Sequence, residues 1–154
     1  MSDIDLANDY VEVELETLPL YSSLGTTGQY VWADGFDIAG RRATIHAESQ
    51  VRNDSAAARA LSLRVEIRDP AGRRIARFDS AATSIAPGQS ATLAAAAPVA
   101  DLHYWSWGYG YLYTVTTSLI DKAKVIDSVD TRTGFRQTRF GDGKVDLNGR
   151  TIMV

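Results

Sequence analysis

Leu61-Ser62-Leu63-Arg64-Val65-Glu66-Ile67-Arg68 alternates aliphatic and polar residues without a break. In an extended chain successive side chains point to opposite faces. Leu61, Leu63, Val65 and Ile67 then share one face, and Ser62, Arg64, Glu66 and Arg68 share the other. A helix would scatter both sets around its circumference, so the stretch reads as a half-buried strand. Asp69-Pro70-Ala71-Gly72 follows, with a proline that presets φ and a glycine that closes the turn. Arg73 to Ser80 is therefore expected to return as the hairpin partner.

The same period runs upstream. From Arg42 to Arg52 the even positions are Arg42, Thr44, His46, Glu48, Gln50 and Arg52, and the odd ones are Ala43, Ile45, Ala47, Ser49 and Val51. Asn53-Asp54-Ser55 opens a turn before the next strand, although Ala56, Ala57 and Ala58 would also suit a short helical turn. Ile85-Ala86-Pro87-Gly88-Gln89 is a second turn and leads into Ser90 to Ala97. Four alanines, Ala94 to Ala97, cannot repay helix nucleation before Pro98, so this run also reads as strand.

Downstream, Tyr111 to Ile120 and Lys124 to Thr133 read as two long strands, followed by Phe135 to Phe140. Asn148-Gly149 between apolar residues signals a closing hairpin. The first 35 residues are less regular, with short strands expected at Asp9 to Glu16 and Gln29 to Ala33 and a loop at Leu24 to Gly28. No stretch carries a 3.6-residue period. The expected fold class is all-β: an immunoglobulin-like antiparallel β-sandwich with a short N-terminal extension and a C-terminal hairpin.

The 154 residues suffice for one domain with a real core. There is no cysteine, which excludes disulfides and thiolate metal sites. Sixteen basic and nineteen acidic residues are interspersed and give a formal net charge of -3, which builds no basic stripe for nucleic acid. No apolar run reaches the roughly 18 residues of a membrane span. Met1-Ser2-Asp3-Ile4-Asp5 lacks an apolar signal core. The compartment is left open, and a periplasmic or secreted parent is compatible with it.

Candidate chemistry is sparse. His46 and His103 are the only histidines and lie strands apart, so neither a triad nor a metal site is expected. Asp34 with Asp37, and Asp127 with Asp130, are near in sequence, but nothing sets either pair across a cleft. There is no Gly-x-Ser-x-Gly elbow, His-Glu-x-x-His or phosphate loop. Catalytic residues, metal ligands and cofactors are all assigned as none.

Three segments carry a resemblance. A tryptophan turn, Trp105-Ser106-Trp107, precedes Tyr111-Leu112-Tyr113-Thr114; Thr133-Gly134-Phe135-Arg136 follows, and then Leu147-Asn148-Gly149-Arg150. This order resembles the end of the immunoglobulin-like domain of family 2 glycoside hydrolases. Gly28-Gln29-Tyr30-Val31-Trp32 is similar to the entry into that domain. One departure is that glycines stand around the tryptophans where the family usually has prolines.

The resemblance implies three segments. Residues 1–35 are an N-terminal extension or the end of a preceding jelly-roll domain, and residues 36–140 are the sandwich. Residues 141–154 are a hairpin leading toward a catalytic barrel that this chain does not contain. It also implies that the two carboxylates of glycoside cleavage lie in that barrel. The expected role is a non-catalytic structural spacer of a β-galactosidase-like glycosidase. Its partners are the flanking domains of the same parent, with no nucleic acid and no membrane.

The aromatic cluster Tyr104, Trp105, Trp107, Tyr109, Tyr111 has two readings. Rings of this kind plug a sandwich end or dock a neighbouring domain; they also stack on sugar rings. On the second reading the chain is a carbohydrate-binding module, and Trp105, Trp107 and Tyr109 are the substrate-binding candidates. Tyr30 and Trp32 are weighed in the same way. Arg136 is expected to clamp carbonyls or a carboxylate at its corner, with Phe135 filling core volume beside it. A further alternative is a plain adhesion or spacer sandwich of unrelated parentage.

Overall fold

The computed structural model describes residues 13–15 and 29–153. Among these there is no helix, and every strand pairing is antiparallel. The strands are β1 (Val13–Leu15), β2 (Gln29–Asp37), β3 (Arg42–Asn53), β4 (Arg59–Arg68), β5 (Arg74–Asp79), β6 (Thr83–Ile85), β7 (Ser90–Val99), β8 (Tyr113–Asp121), β9 (Lys124–Thr133), β10 (Thr138–Gly141), β11 (Lys144–Leu147) and β12 (Arg150–Met153). In the first sheet β3 is central, with β7 along one edge and β2 and β1 sharing the other. The second runs β5-β4-β8-β9, with β6 extending β5's edge of β4. The last three strands form a meander.

The alternation read from the sequence is the alternation of burial. Leu61, Leu63, Val65 and Ile67 are fully buried, as are Ile45, Ala47 and Val51 of the facing sheet. Each large aliphatic side chain so buried contributes about 2 kcal/mol of transfer free energy. Along the strands the core divides in two. Ile45, Val65, Val115 and Tyr113 belong to one cluster, and Val51, Leu61, Leu93 and Leu119 to the other. Between them stand Ser49 on β3 and Thr117 on β8, both buried, and the Gln29 amide donates to the Thr117 hydroxyl.

Several expectations shift at their edges. Only Val13–Leu15 of the Asp9 to Glu16 strand lies within the described residues, where it pairs with Val51 to Asn53; the Leu24 to Gly28 loop lies outside them. The alanines after Asn53 form no helical turn. Thr83–Ile85 is a short strand that the turn signal at Pro87 concealed. Pro98 sits within β7, an edge strand, where its missing N–H breaks no ladder. The strand expected at Phe135 begins only at Thr138, because residues 134–137 wrap around Trp105. The C-terminal hairpin is three-stranded, with left-handed pairs Asp142-Gly143 and Asn148-Gly149 at its two turns.

Asn53 locks one end of the sandwich. Fully buried, it donates from Nδ2 to the carbonyls of Ala57 (2.9 Å) and Ile85 (2.8 Å). Its Oδ1 accepts from the Ser55 amide (2.9 Å) and hydroxyl (2.6 Å). That uses the full capacity of a primary amide. The backbone joins in, with Asn53 N–H donating to Gln89 and Gly88 N–H donating back to Asn53. Asn53→Ala should cost about 2–4 kcal/mol in urea unfolding, since the buried Ile85 carbonyl loses its donor and the buried Ser55 amide and hydroxyl lose their acceptor. Asn53→Asp should not rescue it, because a carboxylate has nothing to donate.

At the β4–β5 turn, Asp69 Oδ1 accepts from the amides of Ala71 (3.0 Å) and Arg73 (2.9 Å), while Oδ2 meets the Arg73 guanidinium at 3.2 Å. The Arg73 amide, first, and then the Arg73 charge hold this carboxyl below the usual aspartate range, against an opposing push from burial. A carboxyl whose folded pKa is depressed stabilises the fold above its unfolded pKa, and that contribution fades as pH falls through the folded value. The stability difference between wild type and Asp69→Asn should therefore be full at neutral pH and shrink in acid below the ordinary aspartate pKa. A difference that does not change with pH would contradict this.

Candidate functional site

The three motif segments, far apart in sequence, meet at one junction. Trp105 N–H donates to the Phe135 carbonyl (2.8 Å), and Asn148 Nδ2 donates to the Trp105 carbonyl (2.9 Å). Asn148 Oδ1 accepts from Gln137 N–H (2.9 Å), while its own N–H donates to the Gln137 carbonyl (2.8 Å). The side chain can reach both partners because Asn148 adopts a left-handed φ of 51°, which asparagine tolerates better than most residues. Gly134 is required for a different reason. A Cβ there would stand 2.6 Å from Trp105 Cβ and 2.8 Å from Cδ1.

Among the described residues Arg136 clamps no carbonyl or carboxylate. Its guanidinium lies over the Trp105 ring, 4.8 Å from the centroid, a cation–π contact. Phe135 is buried as expected and packs on Tyr113 with centroids 5.5 Å apart. Tyr113 is buried too, and its hydroxyl accepts from His103 N–H (2.9 Å). Burial pushes its phenol above the ordinary value, and the His103 bond works in the opposite direction. Tyr104 reaches the other way and donates to the Arg42 carbonyl (2.7 Å), with that of Asp37 at 3.1 Å, so it latches the β2–β3 turn.

Beyond Trp105 the chain turns tightly. Ser106 N–H and Tyr109 N–H exchange bonds with each other's carbonyls (3.0 and 2.9 Å), which leaves Trp107 at the tip, 82% exposed. Tyr109 is 58% exposed and stacks toward Tyr111, whose other ring neighbours are His103 and Tyr113. Of the three sequence candidates, then, Trp105 is held inside the junction, and Trp107 and Tyr109 face solvent.

The remaining candidates are dispersed. His46 stacks on Trp32, its register partner, with rings 4.9 Å apart and 4° from parallel, and bonds Asp34 at 2.8 Å. Asp37 instead accepts from Gly40 N–H. Asp130 accepts from the Thr116 hydroxyl, and Asp127 from Ser128 N–H. Each acid has its own local partner. Among the described residues no three His, Asp or Glu side chains converge on a cation position. The Trp32–His46 stack and the double role of Asn148 escaped the sequence reading, because both depend on cross-strand register rather than on spacing.

A family model described as glycosyl hydrolases family 2 matches residues 34–136. A β-glucuronidase of Formosa agariphila is 30% identical over 139 residues, covering 90% of this chain and 14% of its own length. A solved β-glucuronidase of glycoside hydrolase family 2 superposes with a TM-score of 0.78 at 28% identity, over 92% of this chain and 14% of that one. A family 2 member from Bacteroides cellulosilyticus shares the fold at TM-score 0.75 and 23% identity, covering 90% of this chain and 18% of its own. The chain thus spans less than a fifth of the length of these relatives.

If the junction holds as described, Gly134→Ala should destabilise by about 1–3 kcal/mol and shift the tryptophan emission, because the Trp105 ring must move. Gly141→Ala is the control: a Cβ there meets nothing within 4 Å. It should change stability by less than about 0.5 kcal/mol.

Proposed function

The chain belongs to family 2 of the glycosyl hydrolases, and on that premise we propose that it is a non-catalytic spacer domain of a longer β-glycosidase. It would present a sugar-binding domain and a catalytic barrel to each other across a rigid sandwich. Relatives that it matches along nine-tenths of its length include β-glucuronidases. A shorter match is to a β-galactosidase of Psychromonas ingrahamii. The parent's substrate is then a β-glucuronide or a β-galactoside, and its acid/base pair lies outside this chain.

The observation that carries the proposal is the C-terminal meander. Phe140, Val145 and Met153 stand side by side across its three strands. Phe140 is 78% and Met153 64% exposed, while Leu147 nearby is buried. A small sheet with an apolar row in water is the kind of surface that a neighbouring domain covers. Phe140→Ser should leave the unfolding midpoint of this chain unchanged, yet lower that of a parent chain extending beyond Val154 by about 2 kcal/mol. Equal effects in both contexts would sink the docking role. The chain itself should not hydrolyse chromogenic β-glucuronides or β-galactosides. Turnover abolished by substituting one of its own acids would contradict the non-catalytic assignment.

A second reading is favoured by one feature, the exposed Trp107 on a tight turn with Tyr109 beside it. On this reading the tip stacks on a sugar ring. Oligosaccharide titration followed by tryptophan fluorescence should then saturate, and Trp107→Ala should abolish the change. A flat titration at millimolar sugar counts against it.

A further inference from the structure

The outer face of the second sheet gathers arginines that the sequence disperses. Register places Arg74, Arg68, Thr114 and Arg132 in one row across β5, β4, β8 and β9. The next row is Arg77, Glu66, Thr116 and Asp130, and the third is Asp79, Arg64, Ser118 and Ser128. With neighbouring strands about 4.8 Å apart, each row spans about 14 Å.

The charges on this face do not balance. Glu66 is the shared counter-ion of three guanidiniums: Arg68 at 2.8 Å, Arg74 at 3.5 Å and Arg77 at 3.9 Å. One carboxylate cannot neutralise three cations. Asp79 is taken by Arg64 (3.1 Å); Asp130 accepts from the neutral Thr116 hydroxyl (2.7 Å) and keeps its charge, so across the three rows five arginines face three carboxylates. The row of Arg74, Arg68 and Arg132 contains no acid at all. A chain of net charge -3 thus carries an excess of positive charge on one strip.

We propose that this strip binds an acidic polysaccharide through the carboxylate or sulfate groups repeated along its chain. Guanidinium forks suit oxyanions, which they meet with paired N–H donors. The three rows contain no aliphatic or aromatic side chain. That removes the apolar anchors around which protein interfaces are built. It equally removes the rings on which the bases of a single-stranded nucleic acid stack. What remains is a row of donors matched to a linear polyanion that stays largely in water. The strip lies on β4, β5, β8 and β9, apart from the Trp107 turn and the meander, and this inference does not rest on the spacer reading.

The test uses this chain at low ionic strength, titrated with polygalacturonate (carboxylated), heparin (sulfated), dextran (neutral) and a double-stranded DNA oligonucleotide. The wild type should bind one or both acidic polysaccharides and not dextran; which of the two binds identifies the oxyanion. Binding should weaken with added salt, since counterions are released from the polyanion. Arg68→Gln combined with Arg132→Gln should lower affinity about tenfold or more, the scale of lost charge-assisted hydrogen bonds. Arg64→Gln, which removes a cation already paired with Asp79, should change it by less than about twofold. Unfolding midpoints should be unaltered in all three proteins. No binding by the wild type, an equal loss in Arg64→Gln, or tighter binding to DNA than to either polysaccharide would overturn the proposal.

Discussion

The indole of Trp105 lies against the backbone at residue 134, a contact that holds only because that residue carries no Cβ. The C-terminal half of the structure is arranged around it. With Trp105 seated there, its amide reaches the Phe135 carbonyl and its own carbonyl is left for Asn148. The meander is thereby fastened to the sandwich, and Phe135 is turned into the core against Tyr113. Three short motifs that look independent in the sequence are the parts of one joint.

The opposite end is closed by another device. There a single buried amide, Asn53, spends all its hydrogen-bonding capacity on the loops that join β3 to β4 and β6 to β7. Between the two locks the core is ordinary aliphatic packing, parted by a polar step at Ser49 and Thr117. The sandwich is thus pinned at both ends, which suits the spacer role proposed for it.

Much of this was legible beforehand, for a physical reason. Burial with period two is written directly into Leu61 to Arg68 and Arg42 to Arg52, and the Pro-Gly and Asn-Gly turns mark the reversals. Boundaries were less legible where tertiary contacts override local pattern, as at residues 135–137, which open the stretch expected as strand but whose backbone is claimed by Trp105 and Asn148. The site was legible only as a list. Trp105, Trp107 and Tyr109 look equivalent in sequence, yet one is a joint and two are exposed. The arginine strip was hidden altogether, since alternation along each strand spaces charges evenly and only the pairing of four strands brings them into rows.

The joint can be measured directly by amide hydrogen exchange. The Trp105, Gln137 and Asn148 N–H groups each donate to a partner within it. The account predicts that all three exchange slowly and together, at rates near those of the buried β8 amides. Fast exchange of these three amides, with β8 still protected, would show that the three motifs are separate surface loops and would contradict it.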